Sequence, residues 1–89
     1  MTEKFFIKGY EISFNDHDGG HGVHVHVSQG RNRDMAKFVL TEDGGVLLSH
    51  NRGKLPSKTL KKIQNDLARR YAFVVGSWDR TFGEHHFDL

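Results

Sequence analysis

The run Phe14-Asn15-Asp16-His17-Asp18-Gly19-Gly20-His21-Gly22-Val23-His24-Val25-His26-Val27-Ser28 holds four of the seven histidines of the chain. Val23, Val25 and Val27 alternate with His24, His26 and Ser28, the period-2 pattern of a strand with valines on one face and imidazoles on the other. Two residues along a strand separate Cα atoms by roughly 6.5–7 Å, so both rings can reach one metal ion, phosphate or reacting atom.

Upstream, Tyr10, Ile12 and Phe14 alternate with Glu11, Ser13 and Asn15, a second half-buried strand that a loop over residues 16–22 returns into the first. In a hairpin of these strands the apolar sets must share a face, because a one-residue slip would set Ile12 and Phe14 beside the histidines. The opposite face then collects Glu11, Ser13 and Asn15 with His24 and His26, and a carboxylate is expected near the imidazoles. Downstream of a polar turn at residues 29–34, Ala36, Phe38 and Leu40 continue the apolar face. Pairing Val25 with Phe38 and Val27 with Ala36 sets Lys37 opposite His26. Glu11 and Lys37 thus join His24 and His26 as candidate catalytic residues, with opposite effects on the charge of an imidazole.

Thr41-Glu42-Asp43-Gly44-Gly45 is a turn signal and residues 46–49 return as a further strand, while Phe5, Phe6 and Ile7 form a short apolar strand or arm. Leu55-Pro56-Ser57 reads as a helix entry, with Pro56 at or just before the first helical position and Ser57 as cap. Leu60, Ile63 and Leu67, then Tyr71, Val74, Val75, Trp78 and Phe82, recur at spacings of three and four, an amphipathic stripe. Two helices broken near residues 69–71 are preferred to one rod, since Gly76 costs about 1 kcal/mol against Ala and Val74-Val75 is β-branched; Gly83 ends the second. The expected fold is α+β: an antiparallel β-meander of three to five strands (about residues 5–49), followed by one long or two shorter C-terminal helices (about residues 56–82) packed on one sheet face, in a single domain of residues 1–89. The histidine face is expected to lie open, Tyr71, Trp78 and Phe82 to be core, His50 to sit in a loop or at the helix entry, and His85 and His86 to belong to a disordered tail.

A chain of 89 residues buries only about 60–65% of its unfolded surface, which makes a small core. With no cysteine there is no disulfide, thiolate metal site or thiol nucleophile, so any metal must use histidine and carboxylate. No apolar run approaches the roughly 18 residues of a membrane span and Met1-Thr2-Glu3-Lys4 lacks a signal-peptide layout; a soluble cytoplasmic chain without a membrane partner is expected. The net charge of +2 hides an asymmetry, since residues 52–70 carry seven basic side chains against the single acid Asp66, a local charge of +6.

Three readings of the histidines follow. His24 and His26, with His17 or His21 as a third ligand, suit zinc or another divalent transition metal, and an open fourth position suits hydrolysis. Metal-free acid-base chemistry on RNA would use one imidazole to activate a ribose hydroxyl and another to protonate the leaving oxygen, with Lys37 or Arg33 stabilising the phosphate charge. In the third reading the histidines are structural. A bond from Asp16 to His17 or its neighbour would fix an imidazole tautomer. Lys54, Lys58, Lys62 and Arg69 form a candidate nucleic-acid contact, or equally a solvated face or a dock for an acidic protein.

Phe14, Asp16, His17, His24, His26 and Val27, followed by Gly53, Leu55, Pro56, Leu60 and Trp78, resemble the motifs of the small bacterial domain of unknown function 4160. That family carries an aromatic-x-Asp-His-x-Pro-Pro-His-x-His-Val run, a short β region, and Gly-x-Leu-Pro opening a helical part with a late Trp. Its Pro-Pro turn is replaced here by the longer, more flexible Gly19-Gly20-His21-Gly22. The resemblance implies a toxin-antitoxin component acting on RNA, with a cognate antitoxin-like protein as a further partner; the rival class is a non-catalytic protein-interaction module.

Overall fold

The computed structural model describes residues 4–14 and 20–88. Strands β1 (Lys4–Ile7), β2 (Tyr10–Ser13), β3 (His24–Gln29), β4 (Asn32–Leu40) and β5 (Val46–His50) precede helices α1 (Ser57–Arg69) and α2 (Tyr71–Phe82). The strands form one sheet in the order β1-β2-β3-β4-β5, each neighbouring pair antiparallel. This is the α+β meander with two C-terminal helices that the alternation and the apolar stripe predict.

The register obeys the rule that apolar sets share a face. Ile12 pairs with Val27 and Ser13 with His26, while Val25 meets Phe38, Val27 meets Ala36 and His26 meets Lys37. Ile12, Val25, Val27, Ala36, Phe38 and Leu40 close against Ile63 and Leu67 of α1 and Val74 and Trp78 of α2 in one buried cluster. Gln64 ties α1 to the sheet edge by donating Nε2–H to the Val46 carbonyl at 2.6 Å, and Tyr71 anchors the start of α2 by donating its hydroxyl to the Thr41 carbonyl.

The helix break falls at Arg70, whose φ of −103° and ψ of 17° leave the helical basin. Gly76 lies inside α2 rather than at the break; packing of Val74 and Trp78 outweighs its propensity cost. Gly83 closes α2 in the left-handed region, at φ 85°, where glycine carries no Cβ penalty. Pro56 takes the N-cap position with extended backbone, just before the first helical residue as its ring suits, whereas Ser57 is that first helical residue rather than the cap.

Two further expectations are corrected. The tail is not loose, because Val23 donates its N–H to the His86 carbonyl at 3.0 Å, Gly22 donates its N–H to Asp88 Oδ2 at 2.9 Å, and Phe87 stacks on Tyr71 at 6.2 Å. The histidine face is not open along its length either. His24 is only 3% exposed, with the Trp78 ring edge-on to its imidazole at 5.3 Å. Strand β2 ends at Ser13, opposite His26, and Trp78, packed on Phe14 at 4.9 Å, reaches the His24 imidazole beyond that end.

Phe38 and Leu48 face each other across β4 and β5, but Phe38 is 0% and Leu48 43% exposed. Urea unfolding should show Phe38→Ala losing about 3–5 kcal/mol and Leu48→Ala within about 0.5 kcal/mol of the parent; equal losses would contradict the assigned core.

Candidate functional site

Imidazoles, a carboxylate and a guanidinium from three adjacent strands and the loop after them form one connected chain of hydrogen bonds. It begins at Gly22, whose carbonyl accepts the His24 Nδ1–H at 2.8 Å. Nε2 of His24 lies 3.2 Å from Nε2 of His26, with the rings nearly perpendicular at 88°. His26 donates Nδ1–H to Asp34 Oδ1 at 2.7 Å. The same oxygen meets His50 Nε2 at 3.2 Å, and Arg52 Nη1 reaches Oδ2 at 3.4 Å.

Two departures from a regular ladder make this possible. Between the pairs Val27–Ala36 and Gln29–Asn32, a two-residue step on β3 faces a four-residue step on β4. Asp34 lies in that excess at φ 51°, a left-handed conformation that Asp tolerates better than most residues. Its N–H is satisfied by the buried Ser28 hydroxyl at 3.0 Å, and its carboxylate turns to His26. The second departure lies between Lys37 and Phe38, where the register with β5 shifts so that Lys37 faces His50. Continuing the Phe38–Leu48 register by one step would have put Ser49 there.

These contacts set the tautomers. A carbonyl and a carboxylate only accept, so both Nδ1 atoms donate, and both Nε2 atoms turn towards a common point. Partial burial raises the Asp34 carboxyl, but the His26 hydrogen bond and the charges of His26, His50 and Arg52 outweigh it and hold the group below its ordinary 3.8.

Residues 9–79 match the domain of unknown function DUF4160. The chain belongs to that family. Comparison with curated proteins and with solved structures gives no match. Within this DUF4160 domain the matched span holds His24, His26, Asp34 and His50, while β1 and the docked tail lie outside it.

Of the residues that the sequence singles out, His24 and His26 are brought together and Lys37 sits in register opposite His26. Glu11 shares their face but is occupied elsewhere, by Arg33 Nη2 at 2.5 Å, Lys4 at 3.6 Å and the Ser13 hydroxyl at 3.3 Å; the Arg33 bond, against partial burial, lowers its carboxyl from 4.5. The carboxylate expected beside the histidines is therefore Asp34. His21 is exposed, its ring 6.2 Å from that of His24. His17 and Asp16 lie outside the described residues, and among the described residues no group of three or more His, Cys, Asp or Glu could hold a metal ion. Lys54 and Lys58 are exposed, whereas Lys62 at 3.6 Å and Arg69 pair with Asp66 along α1.

Asp34, His50 and Arg52 escaped sequence reasoning. Asp34 read as a turn residue and His50 as a linker, because only the two register shifts bring them to His26. The sign of the pH effect follows from the lowered Asp34 carboxyl. Its stabilising contribution is complete above the unfolded value and is lost as pH falls through the folded one. Asp34→Asn should cost about 1 kcal/mol near pH 7, a modest figure for a partly exposed network, and close to nothing near pH 2; thermal unfolding of both proteins at the two pH values measures the difference.

Proposed function

We propose that this DUF4160 domain binds a divalent transition metal, zinc in the first instance, between Nε2 of His24 and Nε2 of His26. The observation that carries the reading is their 3.2 Å separation combined with Nδ1–H bonds to Gly22 O and Asp34. Zinc–nitrogen bonds of about 2.0–2.1 Å at a tetrahedral angle place two ligand nitrogens roughly 3.3–3.4 Å apart, close to what the strand already presents. Metal-ligating histidines generally give the other ring N–H to a carbonyl or carboxylate, which fixes the tautomer and raises ligand basicity. Both rings meet that condition.

The loop preceding β3 supplies the third ligand in this reading, from His21 or His17. Nitrogen donors without thiolate favour zinc, copper or nickel over hard cations. Three protein ligands leave one position for water, and a bound divalent metal lowers the pKa of that water towards neutrality. His26, with its side chain 21% exposed, gives this centre its opening to solvent, while His24 is enclosed by Trp78.

Zinc added to untagged protein should shift the His24 and His26 imidazole NMR resonances saturably at about one ion per chain. It should also raise stability by about 2.7 kcal/mol at a free concentration a hundredfold above Kd. His26→Ala, at the more exposed position, should remove both effects while retaining a folded amide spectrum. Undiminished binding in that variant, or no shift in the parent, would overturn the proposal.

A further inference from the structure

A cleft of ≈ 550 Å³ opens between the β3–β4 turn and the segment after β5, lined by Arg31, Arg33, Asp34, Met35 and Arg52 among others. We propose that this cleft is a phosphate-binding site, with the guanidinium groups of Arg31 and Arg52 as its arms and that of Arg33 as a fixed third cation.

The charges of the lining are distributed for an incoming anion. Arg33 is oriented by Glu11 at 2.5 Å and by the Gly30 carbonyl at 3.4 Å, so its guanidinium is held in place. The one carboxylate, Asp34, is already met by His26 at 2.7 Å and His50 at 3.2 Å. Arg52 touches it only at 3.4 Å, from a side chain 75% exposed, and can exchange that long contact for a ligand oxygen without stranding a bare carboxylate. Arg31 is exposed at the rim. Planar guanidinium forks match the paired oxygens of a phosphate, and such charge-assisted bonds are the stronger class.

The walls are joined to each other rather than independent. Gly53 donates its N–H to the Met35 carbonyl at 2.7 Å, and a Cβ at Gly53 would lie 2.6 Å from that of Met35. Only glycine allows the Arg52 segment to lie this close to β4, and the close approach pre-organises the site. A phosphate seated here lies beside the Asp34–His26 pair, and the chain leads from Arg52 directly to Lys54 and the basic face of α1. The same chemistry is offered by a free nucleotide and by a nucleic-acid strand, which the experiment separates.

Amide and arginine side-chain NMR resonances should be followed while uridine monophosphate, and separately a short oligouridylate, are added to full-length protein with a metal chelator present. The chelator makes the outcome independent of the metal site. Saturable shifts centred on Arg31, Arg33, Arg52 and Gly53 are expected. Arg31→Glu with Arg52→Glu should weaken binding on the order of tenfold or more, whereas Lys62→Glu with Arg69→Glu should leave those shifts in place. Comparable affinities for the two probes identify a nucleotide ligand; much tighter binding of the oligomer, with a steeper salt dependence, identifies a strand. No shift at the cleft with either probe, or affinity indifferent to reversal of Arg31 and Arg52, would overturn the assignment.

Discussion

A central strand must satisfy every polar side chain that it buries, and β3 carries two imidazoles, one of them enclosed. On one side its valines are sealed against the helices. On the other, His24 is enclosed, where an unmatched ring N–H would cost of order 1–3 kcal/mol. Local backbone supplies the partner, since Gly22 two residues earlier turns its carbonyl onto Nδ1. Nε2 of His24 then lies 3.2 Å from Nε2 of His26, which joins the second imidazole to the same network.

His26 in turn explains the irregularity of β4. A regular antiparallel ladder places its cross-strand partner, Lys37, on the same face, yet a cation is a poor partner for a ring that donates from Nδ1. The extra residues of β4 and the left-handed Asp34 provide an acceptor instead. The backbone strain of a non-glycine residue at positive φ is a cost that persists only where surroundings over-determine it. Here the Ser28 hydroxyl, His26, His50 and Arg52 all hold Asp34 in place.

The C-terminal strap belongs to the same economy of buried polar groups. Gly22 uses both backbone atoms, its carbonyl on His24 and its N–H on Asp88, and an added Cβ would lie 2.6 Å from Asp88 atoms. Phe87 covers Tyr71, whose hydroxyl caps the end of β4 through the Thr41 carbonyl. The last residues therefore close the sheet end on which the histidines depend. The indole N–H of Trp78 stands apart, as the one buried side-chain polar atom without a hydrogen bond among the described residues.

Alternation at period two and an apolar stripe at period three to four were enough to determine the strands, the β3–β4 register and the presence of helices, because burial of one face penalises every slip. They also brought His24 and His26 together, since neighbours on one strand face need no tertiary information. Only the tertiary structure decided that Asp34 and not Glu11 serves His26, that His50 and Arg52 join it, that Trp78 encloses His24 and that the tail docks. Those outcomes depend on two register shifts, on a strand that ends early and on contacts between residues distant in the chain. A periodic pattern specifies which face a residue takes, but not where a ladder breaks, because a break is favoured by the side chains that it brings together and these are neighbours only after folding.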